Sequence, residues 1–137
     1  MLHQKSQKVA IPLVVIRPSI IAASFAEPVP GWTDSLGLIG GFYSSEIEDI
    51  NGVHNLEHGF IWITYRNVSA ETKARLKKIA NRYSGRVVAS ERRANDAQIT
   101  LASWGRFDKM SQEELDEDYV IRFIDKYTNK SPERLAK

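Results

Sequence analysis

The sequence contains no cysteine, and only three of its 137 residues are histidines. The absence of cysteine excludes disulfides, thiolate metal ligands and a cysteine nucleophile. The net charge is also small: the chain has 19 lysines and arginines and 17 aspartates and glutamates, which gives a net charge of +2. So small an excess argues against a polyanion-binding surface, and we expect no nucleic-acid partner. A phosphate-cradling glycine loop and a nucleophile elbow are missing as well, so the sequence identifies no substrate.

The first 26 residues differ in composition from the rest of the chain. A polar, basic start (MLHQKSQK) precedes an apolar run (VAIPLVVI), and a second apolar run ends in small residues (IIAASFA). This order is typical of an export leader, so residues 9–26 are a candidate signal, membrane anchor or membrane-association segment. Arg17 and the prolines at 12 and 18 disfavour a straight spanning helix. Alternatively, residues 9–16 form a buried strand.

These two readings of residues 1–26 carry different expectations for location. A leader or anchor predicts an extracytoplasmic or membrane-anchored protein, whereas a strand that belongs to the fold is compatible with the cytoplasm. In either case residues 27–137 have the length of one domain, and we predict a single α+β domain there.

Elements of secondary structure become readable after residue 60. Residues 27–52 are rich in proline, glycine and serine and are predicted to be a loop-rich approach. Residues 60–65 (FIWITY) are aromatic and β-branched, which predicts a strand buried on both faces. Two further strands are predicted at 86–90 and 98–104, joined by the polar connector ERRAND, which suits a hairpin.

Two amphipathic helices complete the prediction. Ser69 can cap a helix that runs to about Tyr83, with an apolar stripe at Thr72, Leu76, Ile79, Ala80 and Tyr83. Ser111 and Glu114 form a capping box ahead of a second stripe at Leu115, Tyr119, Phe123 and Tyr127. The order from residue 60 is therefore strand–helix–strand–strand–helix, an α+β arrangement in which a small sheet packs its helices on one face.

The heptapeptide VHNLEHG at residues 53–59 holds two of the three histidines. His54 and His58 are four positions apart, so both imidazoles lie on one side if the segment is helical. Such a pair can bind zinc or copper, although the spacing alone does not identify the metal. A third ligand is required, and the candidates are Glu57, Glu46, Glu48, Asp49 and His3. The alternative is a hydrogen-bonded pair that positions a loop.

Residues 54–58 also fit H-x-x-E-H, an inverted zinc-peptidase motif, in which Glu57 would act as the catalytic base. Glu133 could then supply the later acidic ligand. However, Gly59 and the strand after it would end a helix at His58, whereas such enzymes carry the motif well inside a helix. A metal-dependent hydrolase is therefore the least favoured of the readings.

VHNLEHG followed by an apolar strand resembles the bacterial proteins grouped as domain of unknown function 3105. The likeness continues upstream at Gly41-Phe42-Tyr43 and downstream at Leu101-Ala102-Ser103-Trp104-Gly105-Arg106. The resemblance implies a leader or single membrane anchor, and it implies a further upstream histidine in a Ser-Gly-Pro-His stretch. The corresponding region here reads PVPGWTDSLGLIGG, without a histidine. A third metal ligand must then come from Glu57, from residues 46–49 or from a partner.

The other matched residues suit supporting positions around the motif. Gly59 allows a sharp turn into the strand, and Asn55 can tie its amide to the backbone of a turn. Trp104 can fill the core or cover the histidines, and Arg106 can pair with Glu57. Tyr43 belongs to the approach segment. The favoured hypothesis is a small extracytoplasmic domain with a metal-binding site at His54, His58 and Glu57.

The competing hypothesis is a non-catalytic interaction or structural module with its histidines in a hydrogen-bonded turn. Its charged helices would then meet a protein or small-molecule partner that the sequence does not identify.

Overall fold

The computed structural model describes residues 7–8, 32–33 and 37–137. Residues 9–26, for which a leader, an anchor or a strand is predicted, lie outside the described residues, and so does His3. Within the described part of the chain, no helix combines the length and the apolar character that crossing a bilayer requires.

The described residues form eight strands, three α-helices and one 3₁₀ turn. The strands are β1 (Gln7–Lys8), β2 (Trp32–Thr33), β3 (Gly37–Leu38), β4 (Gly41–Phe42), β5 (Ile61–Tyr65), β6 (Val87–Glu91), β7 (Ile99–Ser103) and β8 (Arg106–Met110). The helices are α1 (Asp49–Glu57), α2 (Ala70–Arg82) and α3 (Glu117–Tyr127), and the 3₁₀ turn is Gln112–Glu114.

Six of these strands make one mixed sheet in the order β1-β8-β7-β5-β6-β4. Strands β4, β6 and β5 are parallel, whereas β5, β7, β8 and β1 pair antiparallel. All five residues of β5 are buried, as its sequence predicts. The α+β class is confirmed, and β8 is a strand that the sequence pattern did not indicate. The hairpin expected between residues 86–90 and 98–104 is wrong, because β5 lies between β6 and β7 and pairs with both.

The two crossover connections place helices on opposite faces of the sheet. The chain moves from β4 to β5 through α1, then back from β5 to β6 through α2. Because such crossovers are right-handed and these two run in opposite directions, α1 and α2 must cover different faces. Ile61 and Ile63 accordingly pack with Leu76 of α2, whereas Trp62 packs with Val53 and Leu56 of α1.

Helices α2 and α3 share one face, as predicted for the helices that follow residue 60. Ser69 Oγ accepts a hydrogen bond from the Thr72 amide at 3.1 Å and so caps α2. The Ser111 amide donates to Glu114 Oε1 at 2.9 Å, but this capping box closes the 3₁₀ turn. Helix α3 itself begins at Glu117, three residues after the end of this turn, with Asp116 as its cap.

Helix α1 begins within the region that is predicted to be loop-rich, since Asp49 to Gly52 form its first turn. Asparagine and glycine in this stretch favour turns in isolation. Tertiary packing favours the helix over a turn here, because the helix backbone at Gly52 lies against the indole of Trp62. A Cβ at residue 52 would be 2.5 Å from three atoms of this ring.

Gly52→Ala is therefore expected to lower the free energy of unfolding by about 1–3 kcal/mol, the usual cost of overpacking. Alanine is the better helix former, so helix propensity alone predicts the opposite sign. Urea unfolding followed by circular dichroism measures the change. In a Trp62→Leu background, where the ring is absent, the same substitution should cost less. An equal cost in both backgrounds would contradict this explanation.

Candidate metal site at the end of helix α1

The VHNLEHG segment forms the last turn of α1 and the cap that ends it. His58 is the capping residue, and Gly59 follows with a φ of +98°, a conformation that favours glycine. The Phe60 amide donates to the Asn55 carbonyl at 2.9 Å, and the Gly59 amide donates to the Leu56 carbonyl at 3.0 Å. These two bonds make a Schellman motif, which turns the chain from α1 into β5.

The histidine pair, His54 and His58, lies on one side of this last turn. Their Nε2 atoms face each other at 2.7 Å, and the ring centroids are 4.4 Å apart. Both residues are buried, with 5% and 4% of their surfaces exposed. When both rings are neutral, one Nε2 must carry a hydrogen and the other must present its lone pair.

Burial governs the protonation of the pair. Removal from water, followed by the proximity of His58, lowers the pKa of His54 to about 4 from its ordinary value of 6.5. His54 is therefore neutral at physiological pH, which is the form of imidazole that binds metal ions. The carbonyls at a helix C-terminus also carry partial negative charge, and this favours a cation nearby.

Glu133 is the carboxylate that approaches the histidine pair. Its Oε1 lies 2.6 Å from Nδ1 of His58, on the side of the ring away from His54, and the glutamate side chain is 51% exposed. The zinc-peptidase hypothesis makes Glu133 an acidic metal ligand. The structure instead brings it to the outer nitrogen of His58.

Glu57 and the acids of residues 46–49 occupy other positions. Glu57 is half-buried on the last turn of α1, and its carbonyl accepts a hydrogen bond from the Glu133 amide at 3.2 Å. Glu48 and Asp49 begin α1 at the end opposite the histidines. Asp49 pairs with Arg92 at 2.7 Å, and Glu46 pairs with Arg93 at 3.7 Å. Among the described residues, no set of three histidines or acids is placed to hold a metal ion.

Asn55 and Tyr43 tie α1 and its neighbours to the preceding backbone. The side-chain oxygen of Asn55 accepts from the Leu38 amide at 2.7 Å, and its nitrogen donates to the Leu38 carbonyl at 2.9 Å. The Tyr43 hydroxyl donates to the Ile39 carbonyl at 2.5 Å, and burial raises the pKa of this tyrosine. Both residues therefore fix backbone around the site.

Trp104 and Arg106 flank the β7–β8 turn. Trp104 packs against the cluster that contains Leu56 and Trp62, and Arg106 lies over the ring of Tyr127, with Cζ 4.8 Å from its centroid. Gly105, with a φ of +81°, makes the turn between them.

A cavity of about 340 Å³ lies between α1 and the sheet. Val53 and Leu56 of the motif line it, together with Trp62 and Phe107. His54, Glu57 and His58 are not among its lining residues. The pair and this cavity therefore lie on different sides of the helix.

The fold and the site define a small α+β domain with a buried histidine pair at a helix end. The chain belongs to the family described as "Protein of unknown function (DUF3105)", whose model matches residues 23–137. The family assignment made from the sequence is thereby confirmed. No curated protein and no solved structure matches the chain.

Proposed function

We propose that this chain is a metal-binding domain that holds zinc or copper through Nε2 of His54 and Nε2 of His58. The observation that carries the proposal is the convergence of these two nitrogens at 2.7 Å inside a buried site. Buried imidazoles on one helix turn are preorganised, so little conformational entropy remains to be lost when an ion binds.

The dimensions of the pair fit a metal ion after a small adjustment. Two nitrogens that bind one tetrahedral zinc at about 2.0–2.1 Å lie about 3.3 Å apart. The pair is at 2.7 Å, so side-chain rotations that widen it by about 0.6 Å admit the ion. We propose that water, a partner or a group outside the described residues, such as His3, completes the coordination.

The proposal includes a location outside the cytoplasm, either released or membrane-anchored. Its support is the leader-like order of residues 1–26: a basic start, an apolar middle and a small-residue end.

The test uses tag-free protein that has been stripped with a chelator. Competition against a chromophoric chelator gives the affinities for Zn²⁺ and Cu²⁺ in the unmodified protein and in a His54→Ala/His58→Ala variant. We expect the double variant to lose more than the roughly 10–100-fold that removal of a supporting group costs. His3→Ala tests the remaining histidine of the chain, and a loss of affinity there would identify His3 as a further ligand. Equal metal affinity with and without the pair would refute the proposal.

A structural role is the second candidate, and it is supported by the hydrogen bond that the two rings make to each other. In that case the double variant unfolds at lower urea concentration, while the unmodified protein binds neither metal. The hydrolase hypothesis has weaker support, because α1 ends at Glu57 and the cavity beside α1 is not lined by this residue.

A further inference from the structure

We propose that Glu133 positions His58 for metal coordination, which makes the carboxyl-terminal segment (residues 129–137) part of the site. This inference rests on the proposed metal binding. Glu133 contacts His58, a proposed metal ligand, but does not itself bind the metal. The inference follows from how the end of the chain is attached to the VHNLEHG turn.

Backbone hydrogen bonds attach the carboxyl-terminal segment to the turn. The Asn129 amide donates to the Gly59 carbonyl at 2.9 Å, and the Leu135 amide donates to the His58 carbonyl at 2.9 Å. Between them, the Glu133 amide donates to the Glu57 carbonyl at 3.2 Å. The backbone of Glu133 is therefore fixed relative to α1.

Four further hydrogen bonds hold the segment in place. The Lys137 amide donates to the Gly85 carbonyl at 2.8 Å, and Arg86 Nε donates to the Lys137 carbonyl at 2.7 Å. The side chain of Asn129 bridges back to both backbone groups of Ala136 at 2.9 and 3.0 Å. The segment is thus closed on itself and tied at both ends, so Glu133 reaches His58 from a defined position.

The contact with Glu133 determines which nitrogen of His58 carries the hydrogen. Nδ1 of His58 and Oε1 of Glu133 are 2.6 Å apart but are not aligned as a hydrogen bond, and a small rotation of the half-exposed glutamate side chain would align them. Because a carboxylate accepts and cannot donate, the neutral ring would then present Nδ1–H to Glu133. Nε2 of His58 would in turn present its lone pair toward His54. A carboxylate on the outer nitrogen is the usual arrangement behind a metal-bound histidine, because it fixes the ring and raises its basicity.

The same assignment defines His54 in the metal-free pair. Two lone pairs at 2.7 Å would repel, so Nε2 of His54 must carry the hydrogen that His58 accepts. If both Nε2 atoms coordinated an ion, each would present a lone pair, so the hydrogen of His54 would lie on Nδ1. The ring stays neutral, and no proton is released overall.

The experiment reads the tautomer and the affinity separately. Long-range ¹H–¹⁵N correlation spectra of metal-free protein at about pH 8, where ordinary histidines are neutral, identify the protonated nitrogen of each ring. We expect Nδ1–H at His58 in the unmodified protein and in Glu133→Gln, which keeps an acceptor. Glu133→Ala should move the hydrogen of His58 toward Nε2 and lower Zn²⁺ affinity roughly 10–100-fold. Glu133→Gln should lose less affinity, and Arg134→Ala, an exposed neighbour, should lose none.

Several results would overturn the inference. An Nε2–H tautomer at His58 in the unmodified protein would do so, and so would an unchanged Zn²⁺ affinity in Glu133→Ala. If the unmodified protein binds no metal but the tautomer still depends on Glu133, the proposed function fails and the positioning of His58 by Glu133 stands. A tautomer that is insensitive to Glu133, with metal binding intact, removes the inference and leaves the proposed function in place.

Discussion

Gly59→Ala is expected to lower the free energy of unfolding by at least about 3 kcal/mol, from backbone strain and overpacking together. The φ of Gly59 is +98°, which an L-residue rarely adopts. A Cβ at this position would also clash with the side chain of Asn129 and lie 2.9 Å from its Cα. Neither contact can relax easily, because the Asn129 amide is bonded to the Gly59 carbonyl.

Gly85→Ala is the matched control for this substitution. The φ of Gly85 is not positive, and the nearest atom to a Cβ there would be the Lys137 carbonyl oxygen at 3.1 Å. We expect it to cost less than about 1 kcal/mol, the range of most substitutions away from special backbone geometry. Urea unfolding monitored by circular dichroism compares the two variants. Similar losses would mean that the turn after α1 tolerates a side chain and that the Schellman geometry is not required.

Short-range patterns predicted the second half of the fold well. The stripe of α2, the cap at Ser69 and the fully buried β5 all follow from local sequence, and all are confirmed. Strand β8 was missed because its sequence, RFDKM, places a charged residue, Asp108, at a buried position. Asp108 is 1% exposed, and it accepts a hydrogen bond from the Tyr119 hydroxyl of α3. A buried carboxylate is tolerated only with such a partner, and the sequence does not show that α3 supplies one.

Local sequence predicts one part of the candidate site, and the other part depends on residues that are distant in the chain. The spacing of His54 and His58 required only a helix for the rings to meet, and this could be read from the sequence. The helix itself does not follow from local sequence, because Asn51, Gly52 and Asn55 favour turns. Its stability comes from contacts beyond the segment, including Trp62 against Gly52 and the Leu38 backbone on Asn55.

The contact between Glu133 and His58 also could not be predicted from the sequence. The position of Glu133 depends on hydrogen bonds between the carboxyl-terminal segment and the turn after α1, and no periodicity encodes them. A carboxylate far along the chain was a reasonable ligand candidate. Only the path of the backbone determines that it meets Nδ1 of His58 and not the space between the rings.

The metal-free protein is expected to lose stability as the pH falls below about 6.5. The pKa of His54 is about 4 in the folded state, whereas the unfolded chain has the ordinary value of 6.5. Between these values the unfolded state binds more protons, so the free energy of unfolding rises with pH. The contribution of His54 is therefore complete above pH 6.5 and is lost as the pH falls toward 4. By pH 5 the loss is about 2 kcal/mol.

Urea unfolding in the presence of a chelator, at pH values from 8 to 5, measures this dependence. A His54→Gln variant keeps a polar side chain that does not titrate, so its stability should change about 2 kcal/mol less over the same range. Carboxylates contribute equally to both proteins and cancel in the comparison. A parallel pH dependence in the two proteins would show that His54 can be protonated without loss of the fold. Bound metal should steepen the dependence, because protons and the ion compete for the same Nε2 lone pairs, and this added slope should vanish in the chelated sample.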